Sequence, residues 1–439
     1  MSLERVLLSA LAPWRDAPRW FVAFSGGLDS SVLLHLLSRL RQTQNLPPLV
    51  AVHIDHGLQA AAGDWVRHCR SRCGELAVPL EVRQVEVESG ASLERAARQA
   101  RYAAFEALLE PEDVLLCAHH RDDQAETLLF RLLRGSGVRG LGAMAPARRL
   151  GRGWLVRPWL SVSREVLEGY ARQFGLTWVE DPSNRQVNFA RNYLRHEVFP
   201  VLERRWPQAK RVIGRAAAHL AEADALLGEL AEDDLRNAAG QGLPGWLPLP
   251  SLDLAALGRL SPARQRNALR HWLRAWTLLP DSEHWAGWRS LLDASEDACP
   301  IWRLTGGELR RANGRVWWLS GQWLAPLPAE ALAIRAPETP LPNNGELTLT
   351  IGGKAPSGVE LGSLTLRYRQ GGELMHVGSR GRRDLKRLLN EADVPWFVRQ
   401  RLPLVYRDGE LLAVANLPGL CPPGWVVRWQ PPSGDGGLS

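Results

Sequence analysis

Lysine is almost missing from this 439-residue chain: only Lys210, Lys354 and Lys386 occur, so 51 of the 54 basic side chains are arginine. A genome-wide preference for arginine explains that ratio. The excess charge is a separate matter, because +7 with a pI near 9.5 suits a polyanionic partner. Cysteine is scarce as well. Five residues, odd in number and scattered (Cys69, Cys73, Cys117, Cys299, Cys421), exclude a disulfide framework and fit a reducing compartment. Cys69 and Cys73 stand four apart on an expected helix, and two buried thiols are the reading to expect, since no further Cys or His cluster supplies a metal's other ligands. No apolar run approaches the ~20 residues of a spanning helix, which excludes that kind of membrane protein. The Met-Ser-Leu-Glu-Arg start lacks the apolar stretch of a signal peptide, so a cytoplasmic location is expected. Also absent are the Gly-x-x-x-x-Gly-Lys-Ser/Thr spacing of a Walker A loop and the Gly-x-Gly-x-x-Gly of a dinucleotide fold.

What is present is enough apolar sequence, 45%, for real cores, in a length that suggests about three domains. From Trp20 to about Glu180, strand-like runs (Phe21–Phe24, Val50–Ile54, Leu80–Val87, Val114–Ala118) alternate with helical ones (Asp29–Arg41, Gly63–Leu76, Leu93–Leu109, Asp123–Leu133). That order predicts an α/β fold with a parallel sheet covered on both faces and ligands beyond the strands' carboxyl ends. A helical stretch follows from about Asn188 to Asn237, broken by Gly240–Gly245, then a second helical block over Leu252–Leu292. A hairpin of Ile301–Leu304 with Val316–Leu319, turning near Ala312-Asn313-Gly314, is expected next. The expected division is 1–210, a mainly helical middle domain at 211–325, a Pro- and Gly-rich linker at 326–345, a small β-rich domain at 346–430 and a disordered tail at 431–439.

The richest segment is Phe21-Val22-Ala23-Phe24-Ser25-Gly26-Gly27-Leu28-Asp29-Ser30-Ser31, an apolar strand running through two glycines into a helix. Consecutive glycines let several N–H groups converge on an anion at a helix N-terminus, and Ser25, Ser30 and Ser31 can add hydroxyl donors. A carboxylate at Asp29 belongs beside phosphates chiefly when Mg²⁺ lies between them. After the fourth strand come His119-His120-Arg121-Asp122-Asp123-Gln124-Ala125-Glu126-Thr127. Asp122 or Asp123 is expected to cap the helix, leaving the other to join Asp29 on the metal. A mononuclear zinc site is the alternative, weakened because adjacent histidines on a strand end face opposite ways. Arg95, Arg98 and Arg101–Tyr102 fall near one helical face, fit for anions or simply solvated. Gly135-Ser136-Gly137 could cradle phosphate or form a mobile loop, and Arg191 and Arg195 share a face beyond the Asp181-Pro182-Ser183-Asn184 turn.

The glycine segment resembles the PP-loop of the N-type ATP pyrophosphatases. Together with His53-Ile54-Asp55-His56-Gly57-Leu58, Ser92–Tyr102, His119–Thr127, Arg134–Gly137 and Glu180–Asn184 with Arg191-Asn192 in that order, it is similar to bacterial tRNA(Ile)-lysidine synthetases. Asp384–Leu389, Val394-Pro395-Trp396 and Arg401–Val405 resemble that family's C-terminal domain, whereas the middle matches in size and helical character alone. The resemblance implies a PP-loop ATP pyrophosphatase domain that adenylates the wobble cytidine of the CAU-anticodon isoleucine tRNA, after which L-lysine displaces AMP. It implies nucleotide contacts at Ser25, Gly26, Gly27, Leu28, Asp29, Ser30, His53, Asp55, His119 and Gly135. Catalytic roles fall to Asp29, Arg101, Asp122, Asp123, Arg191 and Arg195, with Asp29 and Asp123 on Mg²⁺ and with Glu126 or Glu180 as candidates for the lysine ammonium. Homodimerisation stays open. Ser363–Gln430 carries 11 Arg or Lys against 6 Asp or Glu, and that block, with Trp396, Trp425 and Trp429, is where further tRNA contacts are expected. A PP-loop tRNA thiolase would want a Cys-x-x-Cys pair, an amidating ligase would need no basic C-terminal block, and a non-catalytic RNA-binding module would need none of the aspartates.

Overall fold

The computed structural model describes residues 2–57, 62–87, 93–239, 245–278, 285–295, 298–356 and 361–433. Leu58, Ser92, the break at 240–244 and the tail from 434 lie outside the described residues. The chain forms two compact units, Met1–Leu226 and Leu227–Ser439. Among the described residues no helix is long and apolar enough to cross a membrane.

In the first unit the strands β1 (Trp20–Ala23), β2 (Leu49–Asp55), β3 (Leu80–Gln84), β4 (Val114–Leu116), β5 (Ala147–Leu150) and β6 (Gly153–Val156) make one sheet in the order β3-β2-β1-β4-β6-β5. All neighbours pair parallel except β5, an antiparallel edge strand on β6. β1 is apolar throughout because both its faces are covered. Trp20 and Val22 point to a core shared with α1 (Leu3–Leu11), α2 (Leu28–Thr43) and α7 (Arg164–Gln173), while Phe21 packs on the opposite face with Phe105 and Leu109 of the α4 region (Leu93–Leu108). The chain winds from β1 through β2 to β3 on one side and returns with β4 on the other. That reversal opens a crevice at the carboxyl ends of β1 and β4.

The expected strands and helices are present with shifted ends. β3 stops at Gln84 instead of Val87, and β4 at Leu116 instead of Ala118. The helices α3 (Ala62–Glu75) and α5 (Arg121–Leu132) also occur, but α1, the one-turn α6 (Val138–Leu141), α7 and the β5–β6 pair are not among the expected elements. The helical stretch after Asn188 is α8 (Ala190–Tyr193), a π turn at Leu194–Val198, α9 (Phe199–Arg205) and, after Trp206-Pro207, α10 (Ala209–Ala239). The expected domain boundary at 210 therefore falls inside a continuous helix.

The second unit corrects three expectations. Ile301–Leu304 does not pair with Val316–Leu319. Gly307–Ala312 lies between them, giving the antiparallel order Ser251–Asp253, Arg315–Ser320, Gly307–Ala312, Ile301–Leu304. The Asn313-Gly314 turn, with φ of 51° and 67°, joins the two longer strands, as a type I′ hairpin requires. The middle and C-terminal parts have two cores that share one strand. Strand Arg315–Ser320 is buried on both faces: Val316 and Trp318 face the helices Pro262–Leu273 and Ala286–Asp293, while Trp317 and Leu319 join the core of Phe397 and Trp429. The supposed linker 326–345 carries strands Leu332–Ala333 and Glu338–Pro340, which pair with Leu364–Arg367 and Glu346–Ile351. Its Ile334, Leu341 and Asn344 are buried, and composition alone does not reveal that packing. Of the tail, Pro432 is tied down by the Trp323 indole N–H, 2.9 Å from its carbonyl oxygen.

Candidate active site

The loop after β1 needs glycine twice over. Gly26 has φ of +80°, and a Cβ there would meet Cys69 Sγ at 3.0 Å and Val179 Cγ2 at 3.1 Å. Its carbonyl accepts the Val179 N–H at 3.0 Å, which pins the bend against the segment before Glu180. Gly27 caps α2 without a side-chain hydrogen bond, so the first-turn N–H groups of that helix have no intrahelical acceptor and open toward an anion. Ser30 Oγ donates to Gly27 O at 3.0 Å and lies 3.1 Å from Ser25 Oγ, holding the hydroxyls of the loop in one cluster.

A cavity of about 440 Å³ opens on this loop, lined by Ser25, Gly27, Leu28, Asp29, Ser30, His53, Arg101, His119, Asp123 and Arg195 among the sequence-predicted residues. His53 is buried and donates from Nδ1 to Phe24 O at 2.9 Å, bracing the end of β1. Both adjacent histidines line the cavity, against expectation, because β4 ends at Leu116 and strand alternation no longer governs residues 117–120. Burial pushes His119 down to about 3, so its ring is neutral, and its Nδ1 is buried without a partner.

The α5 cap also differs from expectation. His120, not an aspartate, is the N-cap, and it forms a reciprocal capping box with Asp123: the Asp123 N–H donates to His120 Nδ1 at 3.4 Å and the His120 N–H to Asp123 Oδ2 at 3.0 Å. Accepting at Nδ1 leaves the proton on Nε2. That atom faces Asp29 Oδ2 at 3.7 Å and Asp123 Oδ2 at 3.6 Å, so the two carboxylates flank one imidazole edge. Burial raises Asp29 above the ordinary carboxylate range, with His120 and Arg164 opposing, and its Oδ1 is buried without a partner. Among the described residues no group of three or more His, Cys, Asp or Glu is set to hold a metal. Two carboxylates and an orphan oxygen facing a phosphate loop nevertheless fit Mg²⁺, which takes one or two protein carboxylates and completes its shell with phosphate and water.

Behind Asp123 runs a buried ion network. Arg195 holds Glu126 bidentately at 2.7 and 2.8 Å and reaches Asp123 Oδ1 at 3.2 Å. Burial raises Glu126 in spite of Arg195. A second cavity of about 400 Å³ shares His120, Arg164, Glu180, Asp181, Asn184 and Arg195 with the first and adds Asp122, Glu126, His196 and Lys210. Lys210 Nζ lies 3.2 Å from Glu203 and 3.8 Å from Asp122.

Four predicted residues stand elsewhere. Asp122 lines the second cavity only. Asp55 accepts the Gly57 N–H at 2.9 Å and shapes the turn after β2. Gly135, with φ of +73°, terminates α5 and touches neither cavity, since its N–H bonds Leu132 O at 3.0 Å. Arg191 also lines neither; it bonds Thr127 Oγ1 and lies 3.6 Å from Glu126. Arg164 and Trp178 line the first cavity and lie in no motif of the sequence, a single Arg at a helix start being no signal, and His56 of the His53–Gly57 segment lines it too. Trp429 is a correction in the second unit: it is 2% exposed, bonded to Asn344 O at 2.7 Å, and cannot meet RNA.

Cys69 and Cys73 are buried, structural thiols. Burial pushes Cys69 up to about 12 and Cys73 to about 11, far from the thiolate a sulfur-transfer reaction needs. Alkylation of the native protein followed by peptide mass spectrometry is expected to label exposed Cys299 and to spare Cys69, Cys73 and Cys117 until denaturant is added; early labelling of Cys69 would contradict the packing under Gly26.

A glycine bend after β1, a bare helix N-terminus carrying Asp29 behind it and a facing carboxylate, Asp123, from the β4 side define a PP-loop ATP-binding protein, and residues 1–202 match the family model for a PP-loop domain. Residues 252–317 match the TilS substrate binding domain and 364–429 the TilS substrate C-terminal domain. The sequence is 57% identical to the tRNA(Ile)-lysidine synthase of Pseudomonas fluorescens over 100% of this chain and 99% of that one. Identity is 58% to that of Pseudomonas syringae (99% and 97% covered) and 40% to that of Coxiella burnetii (97% and 96%). The chain belongs to the tRNA(Ile)-lysidine synthase family.

Proposed function

We propose that this protein joins L-lysine to the wobble cytidine of the CAU-anticodon isoleucine tRNA in the cytoplasm, consuming ATP and releasing AMP and pyrophosphate. The carrying observation is the pairing of the anion-binding loop at Gly26–Ser30 with Asp29, whose buried orphan oxygen has a second carboxylate, Asp123, across the His120 edge. Backbone N–H groups of the loop and the α2 N-terminus hold the phosphates and stabilise the charge that moves onto the departing pyrophosphate. Asp29 and Asp123 would hold Mg²⁺, which when bound neutralises charge on the phosphates. In the first step the cytidine O2 forms a bond to the α-phosphorus as the α–β bridging bond breaks. In the second the lysine ε-amine bonds C2, AMP departs with that oxygen, and the amine loses a proton to solvent.

Arg101 at the cavity wall orients the adenylated base, and Arg195 and Arg191 fix Asp123 and Glu126. The second cavity, with Asp122, Glu180 and Asp181 on its wall, suits the lysine ammonium by its charge. A thiolating reading is disfavoured by Cys69 and Cys73, which are buried thiols without a third cysteine beside them. Incubation with ATP, labelled lysine and tRNA transcript is expected to yield acid-stable labelled RNA only with the CAU anticodon, with AMP and pyrophosphate in equal amounts. Label on a transcript whose wobble base is U, or release of ADP and orthophosphate, would exclude the proposal.

A further inference from the structure

Tyr102 is the one aromatic of α4 that lines the first cavity while also carrying guanidinium groups on its ring: Arg98 at 4.9 Å, Arg148 at 5.2 Å and Arg101 at 5.9 Å from the centroid. Arg98 also donates to the Tyr102 hydroxyl at 3.3 Å, and Phe105 backs the ring edge-on at 6.4 Å. The edge strand β5 shows what is unusual. Its neighbours Arg148 and Arg149 point to opposite sides, as strand geometry demands. Arg149 is neutralised by Glu112 and stacks 4.0 Å from the Trp154 ring centroid, an ordinary surface pair. Arg148 instead goes to Tyr102, and among the described residues neither it nor Arg98 has a carboxylate within ion-pair distance. Arg98 and Arg148 are exposed, whereas Arg101 beside them faces the cavity. Exposed arginines gathered from two elements repel one another, and holding them together without acids makes sense where an anion completes the charge balance.

Resting on the tRNA reading above, we propose that Tyr102 is a positioning residue that gathers Arg98 and Arg148 into a clamp for the phosphodiester backbone flanking the target nucleotide, at the rim of the adenylation cavity. The clamp grips phosphates and does not read bases, so it sets RNA affinity and leaves nucleotide binding alone.

The test uses the full chain, unmodified CAU-anticodon isoleucine tRNA transcript and its isolated anticodon stem-loop, with Kd measured across a salt series. Arg98→Gln and Arg148→Gln should each weaken both RNAs about fourfold to fivefold near 0.15 M salt and flatten the log Kd against log salt slope by about 0.7 to 0.9. The double variant should lose about twentyfold, with KM for ATP and kcat at saturating tRNA unchanged. Tyr102→Phe, which keeps the ring face, should bind RNA near wild type, while Tyr102→Leu should lose RNA affinity and salt slope as the double variant does. Unchanged RNA affinity and slope would overturn the clamp, and so would a raised KM for ATP with RNA binding intact, which would assign these arginines to the triphosphate. Should the wild type bind RNA with this arginine-dependent slope yet fail to incorporate lysine, the clamp stands and the ligase reading falls.

Discussion

Asp29→Asn is expected to cut tRNA-dependent ATP–pyrophosphate exchange by about a thousandfold while leaving the protein at least as stable as the wild type. The substitution keeps shape and removes the charge that would face the metal and phosphates. The stability half follows from the sign of the shift. Burial raises the folded-state Asp29 above its ordinary carboxylate value, with His120 and Arg164 only opposing. The native state therefore binds the proton more tightly than the unfolded chain. Wild-type stability falls as pH rises through the window from the ordinary value to the raised one, and the cost is fully present above the raised value. Asparagine has no charge to desolvate, so the variant's Tm should equal or exceed the wild type's at pH 7, and the difference should vanish below the ordinary aspartate range. Thermal unfolding of the ligand-free protein at several pH values, run beside the exchange assay, decides both halves. Retained exchange would sink the metal assignment, and a lower Tm at neutral pH would mean that Asp29 is a structural ion-pair partner instead of a functional carboxylate held at a cost.

Arg401→Met should produce the largest loss of stability. Arg401 is 5% exposed, and its Nε and both Nη groups donate to Trp323 O, Asn343 O, Asn344 Oδ1, Gln322 O and Ala325 O at 2.6 to 3.3 Å. With no carboxylate in the set, burial pushes the group down to about 10, which still leaves it charged at neutral pH. Those bonds fasten both ends of 326–345 to the core. Methionine fills the volume but strands the carbonyls, and a loss of about 3–5 kcal/mol is expected. For a unit of this length that is a fall of about 10 °C in the melting transition followed by tryptophan near-UV dichroism. Lysine, with three donors on one atom, should rescue only part of it. A shift within about 2 °C would show that water replaces the guanidinium at little cost.

These two residues mark how far reading along the chain can go. The place of Asp29 was legible because everything that sets it is local: an apolar strand, two glycines and a helix start lie within eleven consecutive residues. Arg401 was counted in a basic block offered to RNA, and it turned out to be interior. Its five acceptors lie 57 to 79 residues away, and nothing in the surrounding sequence distinguishes it from an exposed arginine. Trp429 was misplaced for the same reason.

From its residues alone, the chain determined an alternation of strands and helices, an anion-binding bend after the first strand and the loops that would gather at the sheet's carboxyl edge, since periodicity and glycine stereochemistry act over neighbouring residues. Tertiary structure decided that His120 caps α5 and sits between Asp29 and Asp123, that the Arg148 side chain meets Tyr102, and that one tryptophan-rich strand serves two cores. Each of these depends on which distant surfaces meet, and the free energy of that meeting comes from buried area and paired charges that no local pattern records.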